Sequence, residues 1–162
     1  MKAIVAVDLN WGIGFDGKLL EVIPDDMKFF RQKTIGNVVV MGRETFESLP
    51  EKKPLKNRVN LILTREKFID NTELTVCNSV EDTLMKLKKY DSNNIFIIGG
   101  ESIYNQFLPY CDEIFITKIY KEYKANKFLP NIDKDKNWIL KEKSEIKKYK
   151  HINYNFNTYI KL

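Results

Sequence analysis

The stretch NIFIIGGESIYNQFL (94–108) decides the fold class. Its first half is an apolar run with no polar face, as in a strand covered on both sides of a sheet. The second half reads as a helix that starts directly after Gly99-Gly100. The same order recurs upstream, where strand NVVVMG (37–42) runs into helix RETFESL (43–49). Further upstream KAIVAVD (2–8) reads as a strand and a Gly-punctuated loop covers 10–24. Pro24-Asp25-Asp26 then opens a helix that Gly36 ends. A proline-marked loop at 50–57 precedes strand RVNLILT (58–64) and a short strand around LTVC (74–77). Ser79 caps a helix whose Val80, Leu84 and Leu87 share one face. Downstream, EIFITKIY (113–120), a segment near 138–143 and INYNFNTYIKL (152–162) are strand-like. Early strands alternating with helices imply a mostly parallel sheet, and the closing strands an antiparallel C-terminal edge. The expected class is an α/β sandwich whose ligands sit beyond the C-terminal strand ends.

Composition narrows the chemistry. The 162 residues are 43% apolar and 30% charged, the balance of a globular protein of one domain, here 1–162. No run approaches the roughly 20 apolar residues of a membrane span. The opening MKAIVAVDLN brings polar residues too early for a signal peptide, so a cytoplasmic protein with no membrane partner is expected. Cys77 and Cys111 have no metal-ligand spacing and read as small buried hydrophobes. His151 is the single histidine, which makes a metal site or a Ser-His-Asp triad an unsuitable reading. The net charge of +5 is spread among acids, as in KEKSEIKKYK (141–150), and does not form the strip that nucleic acid requires. No metal and no nucleic-acid partner are expected, and a monomer is the default because no long apolar patch is evident.

Glycine-bearing junctions at Gly12/Gly14, Gly42-Arg43 and Gly99-Gly100 could let backbone approach phosphate, with helix N-terminal N–H groups behind it. Each alone is more often only a turn, and none forms G-x-G-x-x-G. Two in one small sheet would suit a dinucleotide. Asp25 is explained by the helix dipole. Asp26 differs, because Met27 beside it and Phe30 at i+4 make its helix face apolar. A carboxylate there needs a partner, and a cationic or amidine-like ligand would supply one.

WGIG (11–14), IPDDMKFF (23–30), VVMGRETFESLP (39–50), RVNLILTR (58–65), IIGGESIYNQFLP (97–109) and ITKI (116–119) together resemble the dihydrofolate reductase family, in its order and spacing. The resemblance implies that family's three-layer sandwich. It also implies NADPH-dependent reduction of 7,8-dihydrofolate to tetrahydrofolate, by hydride transfer to pterin C6 and protonation of N5, with antifolate inhibitors as further small-molecule ligands. By the same resemblance, Asp26 is the catalytic carboxylate that docks the pterin, with Thr117 supporting it. Burial should raise its pKa. Met27, Phe30 and Leu55 match the apolar residues around the substrate's rings. Arg58 matches the arginine that grips its α-carboxylate, and Ile4, Val5, Ala6 and Ile98 line the same cleft.

For NADPH, the resemblance places Ala6, Ile13 and Gly14 at the carboxamide and Tyr104 beside the nicotinamide ring. Gly99, Gly100, Glu101, Ser102 and Ile103 face the pyrophosphate, with Gly42, Arg43 and Thr45 opposite. Arg43, Thr64 and Arg65 surround the 2′-phosphate, which favours NADPH over NADH. The 10–24 loop is expected to close over the nicotinamide.

The chain departs from the family pattern in places. Leu20-Glu21 stands where Pro-Trp is usual. Glu21 could orient or relay a water; the preferred expectation is that it points outward while Leu19 and Val22 pack inward. Ala125-Asn126 stands where an Asp often bonds the closed loop, and one accepted bond is expected from the uncharged amide. Glu101 replaces a third glycine of some members. A riboflavin-pathway reductase of the same fold would not need Asp26 with Phe30, nor Arg58. A non-catalytic dinucleotide-binding module would not need the three together.

Overall fold

The computed structural model describes residues 1–67 and 73–162. The strands are β1 (Lys2–Val7), β2 (Gly12–Gly14), β3 (Val38–Gly42), β4 (Val59–Leu63), β5 (Leu74–Cys77) and β6 (Ile95–Gly99). They continue with β7 (Glu113–Ile119), β8 (Lys127–Phe128), β9 (Trp138–Lys143), β10 (Lys147–Tyr149) and β11 (Ile152–Lys161). The helices are α1 (Pro24–Thr34), α2 (Arg43–Glu47), α3 (Val80–Leu87) and α4 (Glu101–Phe107).

One sheet runs in the order β10-β11-β7-β1-β6-β3-β4-β5, with β9 also paired to β11. From β7 to β5 every pairing is parallel, and β11 adds the antiparallel edge against β7. The apolar runs are continuous because both faces are covered. Val38 and Val40 join one core with Leu87 of α3 and Ile103, Tyr104 and Phe107 of α4. Val39 and Met41 join another with Phe46 of α2, Phe29 and Phe30 of α1. That is the expected three-layer α/β sandwich. Cys77 and Cys111 are free and buried within the first core.

Three short strands lay outside the expected elements. Gly12–Gly14 falls inside the expected 10–24 loop yet pairs antiparallel with Lys127–Phe128. Lys147–Tyr149, in a lysine-rich run without apolar alternation, pairs with β11 across a turn at Lys150. Pairing of such short polar segments depends on what lies beside them in space, which local pattern does not encode.

α1 begins with Pro24 and two acids in its first turn, and ends as Thr34 donates its hydroxyl back to the Phe30 carbonyl at 2.8 Å. At α3, Ser79 Oγ accepts the Asp82 N–H at 2.9 Å, the cap expected from sequence.

Candidate active site

The sheet itself opens the cleft. β1 is bonded to β7 along its whole length, but to β6 only at Lys2 and Ala3. Beyond that point β6 reaches Gly99 and turns away into α4, and the β3–β6 register slips between Val40 and Met41. Among the described residues, the edge of β1 from Ile4 onward is therefore left without a strand partner on that side. Such a split at the C-terminal strand ends is where open α/β sheets take ligands. Tyr104 bridges the start of the gap. Its hydroxyl donates to the Ile4 carbonyl at 2.7 Å, and burial keeps the phenol protonated far above its usual range.

Asp26 stands over this gap on the first turn of α1. The Thr117 hydroxyl, buried on β7, donates to Asp26 Oδ1 at 2.6 Å. Thr117 is the register partner of Ala6 on β1, so the sheet brings Ala6, Thr117 and Asp26 together. The other carboxylate oxygen has no hydrogen bond among the described residues. Burial raises the Asp26 pKa above the ordinary carboxylate range, and the Thr117 bond only partly opposes it. Phe30 and Leu55 are half-buried against the α1–α2 core with Ile98, while Met27 is more exposed.

Arg58 lies at the outer end. Its Nε donates to Thr34 Oγ1 at 3.0 Å and its Nη1 to the Lys56 carbonyl at 2.9 Å. The guanidinium sits 5.9 Å from the centre of the Phe30 ring. Burial, then the neighbouring Arg31 charge, lowers its pKa, so an anion beside Arg58 would favour its charged form.

The cofactor side has two uncapped helix starts. Neither Gly42 before α2 nor Gly100 before α4 supplies a side-chain cap, so the first N–H groups of both helices are available. The two starts are close together. A Cβ on Gly42 would come within 3.1 Å of Ile103, and one on Gly100 within 3.5 Å of Thr45 Oγ1. Gly99 has φ of +118°, and a Cβ there would meet the Tyr104 ring at 3.2 Å. The residues present thus fit a pyrophosphate: glycine-lined backbone, free N–H groups, and Thr45 and Ser102 nearby. Arg43 Nη1 contacts Glu47 at 3.2 Å and Glu66 at 3.4 Å. Thr64 is buried, with its hydroxyl accepting the Glu66 N–H, and Arg65 is exposed. Ile13 and Gly14 lie on β2, where the Gly14 carbonyl accepts the Asn126 N–H at 3.0 Å. A groove of about 500 Å³ separates Asp16 and Gly17 of the loop from Glu44 and Glu47 of α2 and Ser48 just beyond it. The larger groove, about 670 Å³ beside Lys2, Phe29 and Lys33, contains none of the expected site residues.

Several departures resolve differently from expectation. Leu19 and Val22 do not pack inward; they are 57% and 58% exposed, because Ile23 alone fills the buried position before α1. Glu21 accepts a hydrogen bond from the Tyr123 hydroxyl at 3.0 Å. Asn126 makes two side-chain bonds to the loop instead of one, since an amide can donate as well as accept. Its Oδ1 accepts the Asp16 N–H at 3.2 Å and its Nδ2 donates to Asp16 Oδ1 at 2.8 Å. Glu101 is turned toward β8, where it accepts the Phe128 N–H at 3.0 Å. Asp25 has more than a dipole role, because the Tyr154 hydroxyl donates to it at 2.9 Å.

Sequence reasoning passed over two supports. Asn60, 2% exposed, bonds Leu55 through both its amide oxygen and nitrogen and also donates to the Arg58 carbonyl. A polar amide inside the apolar strand RVNLILT was the available signal. Asp8 is fully buried and accepts the N–H groups of Asn10, Gly12 and Tyr123. An acid at a strand end gives no such cue.

A mostly parallel α/β sandwich, split at its C-terminal strand ends, with a buried carboxylate on one side and paired glycine helix starts on the other, defines a nucleotide-cleft class of protein. Comparison with known proteins narrows it. The family model described as dihydrofolate reductase matches residues 1–161. The dihydrofolate reductase of Bacillus subtilis is 35% identical, over 85% of this chain and 79% of its own length. That of Rattus norvegicus is 33% identical, over 99% and 97%. The bifunctional dihydrofolate reductase-thymidylate synthase of Glycine max is 33% identical, and there the chain spans 33% of the relative's length. Among solved structures, Enterococcus faecalis dihydrofolate reductase complexed with NADP(H) and RAB-propyl superposes with a TM-score of 0.86. It is 32% identical, covering 99% of this chain and 95% of that one. The chain belongs to the dihydrofolate reductase family.

Proposed function

We propose that this chain reduces 7,8-dihydrofolate to 5,6,7,8-tetrahydrofolate with NADPH, supplying one-carbon metabolism. The observation that carries the reading is Asp26, a buried carboxyl on an apolar helix face, backed by Thr117 and facing the split between β1 and β6. NADPH, when bound, would supply the hydride for pterin C6, and solvent water the proton for N5. Asp26 accepts hydrogen bonds from the ring's N3–H and 2-amino group, which fixes the ring's orientation and pushes electron density through the ring, away from the carboxylate. Thr117 holds that carboxyl in one rotamer, so orientation is set before substrate arrives. Phe30, Leu55 and Met27 exclude water around the rings, and Arg58 pairs with the glutamate tail. The helix starts at Gly42 and Gly100 hold the pyrophosphate, and Ala6, Ile13 and Gly14 present backbone to the carboxamide. Arg43, Thr64 and Arg65 hold the 2′-phosphate, Arg43 exchanging its contacts with Glu47 and Glu66 for it.

The same carboxyl pairs with amidine-like antifolates, whose protonated ring satisfies it. The protein works as a cytoplasmic monomer; among the described residues no helix is long and apolar enough to cross a membrane. The test is loss of NADPH absorbance on adding dihydrofolate. Asp26→Asn is expected to slow turnover by about 100-fold or more, the scale of a misplaced reacting ring, because an amide cannot accept from both the N3–H and the 2-amino group. A well-folded wild-type chain that leaves NADPH unchanged would overturn the proposal.

A further inference from the structure

The chain between Gly14 and the start of α1 passes the mouth of the cleft with few restraints. Phe15 and Lys18 exchange backbone hydrogen bonds at 2.9 and 3.0 Å, closing a small turn. From Leu19 to Val22, no backbone group is bonded to another among the described residues. Packing does not hold this stretch either, since Leu19 and Val22 are largely exposed. Among the described residues its one side-chain hydrogen bond is at Glu21, whose Oε2 accepts the Tyr123 hydroxyl at 3.0 Å.

Tyr123 is itself firmly placed. Its N–H donates to the buried Asp8 carboxylate at 3.0 Å, and its ring packs on the Ile23, Ile119, Ile152 and Tyr154 cluster beside Ala6. At the other end of the loop, Asp16 and Asn126 make their two-bond pair. Both ties run to the single segment between β7 and β8. With the Lys124 ammonium 5.0 Å from the Phe15 ring, three contacts among the described residues join the loop to that segment, and the Tyr123 tie is the one nearest in sequence to Asp26.

We infer that Tyr123 is a positioning residue: through its hydroxyl it fixes Glu21, and so holds residues 19–22 at the cleft mouth beside Asp26. The inference rests on the reductase reading above. It assigns Glu21 a hydrogen-bond acceptor's task, not that of a proton carrier. A glutamine oxygen accepts from a phenol as a carboxylate does, whereas it cannot relay a proton at the same pH. The two roles therefore separate in one variant.

Removing one hydrogen bond predicts that Tyr123→Phe and Glu21→Ala each lower kcat about three- to tenfold. KM for dihydrofolate should stay within about twofold, because the ring's own contacts are untouched. The double variant should lose no more than the worse single one, the signature of a shared interaction. Glu21→Gln should keep most of the rate with an unchanged pH–rate profile. Amide hydrogen exchange of the unliganded protein supplies a readout independent of turnover. Residues 19–22 should exchange faster in Tyr123→Phe, with the β-core protection unchanged. Wild-type exchange and kcat in Tyr123→Phe would overturn the inference. So would additive losses in the double variant, or a Glu21→Gln variant as slow as Glu21→Ala with a displaced pH profile. If the wild type fails to turn over dihydrofolate, the reductase reading falls, while the exchange comparison still decides the tie.

Discussion

The Asp26 carboxyl loses more from desolvation in the cleft than the Thr117 hydroxyl returns, so the folded protein holds its proton more tightly than the unfolded chain does. Between the ordinary value of 3.8 and the raised one, the native state carries the extra proton and stability falls as pH rises. Above that window the native state bears the full cost of a buried charge. Asp26→Asn removes the cost, and should melt at a higher temperature than wild type at neutral pH. The gap should close below pH 3.8, where both states are protonated. Parallel melting-temperature curves for the two proteins across pH would contradict this. The variant that cripples turnover is then the one that stabilises the fold, a trade common at sites built for ligands. Arg58 gives a second residue-scale expectation. Its charge-assisted pairing with a carboxylate is worth about 1.5–3 kcal/mol, so Arg58→Ala should raise KM for dihydrofolate by roughly 10- to 150-fold. kcat at saturation should change far less, because the tail is remote from the reacting atoms.

At the scale of elements, the loop before β4 and the turn after β6 carry the demands. Asn60 holds the Leu55–Arg58 loop by three hydrogen bonds from a buried position, so its removal leaves backbone groups at Leu55 and Arg58 unpaired. Asn60→Ala should cost about 1–3 kcal/mol or more of stability, read by denaturant unfolding, and should raise KM for dihydrofolate along with it. A KM equal to wild type would mean that the loop holds Arg58 without Asn60. Gly99→Ala meets two obstacles, a φ of +118° and the Tyr104 ring at 3.2 Å. Such positions cost about 1–3 kcal/mol for a side-chain-bearing residue. The displacement of Tyr104 should also loosen its bond to the Ile4 carbonyl, visible as faster hydrogen exchange along β1. The order of strands and helices was legible because each buried strand is a continuous apolar run and each helix opens after a glycine, a proline or a capping serine. The β2–β8 pairing was not legible, since three and two residues carry no period and only their juxtaposition makes them strands.

Over the whole molecule, the decisive feature is a sheet bonded as one body except at the C-terminal end of the β1–β6 seam. A ligand spanning that seam touches α1 and α2 on one face and α4 on the other, and so ties the layers together. NADPH at about 100 times its Kd should therefore raise unfolding free energy by about 2.7 kcal/mol, by mass action alone. A thermal shift that grows with the logarithm of NADPH concentration checks this, and NADH at equal concentration should give a smaller one. Equal shifts for both cofactors would remove Arg43, Thr64 and Arg65 from the 2′-phosphate.

By itself the sequence determined the class of fold, the family and the candidate residues. Apolar period, glycine punctuation and the order of the blocks are local properties that survive being read along a line. Only the tertiary structure decided what those residues hold onto. Tyr104 reaches the Ile4 carbonyl, Asn126 pairs twice with Asp16, and Tyr123 takes Glu21 across 102 positions of chain. Asp26 shows both sides. Its apolar neighbours Met27 and Phe30 marked it in the sequence and the family resemblance pointed to Thr117, but the 2.6 Å bond between two residues 91 positions apart is made only by the packed sheet. A hydrogen bond needs donor and acceptor within about 3 Å, and only the packed sheet brings such distant residues that close.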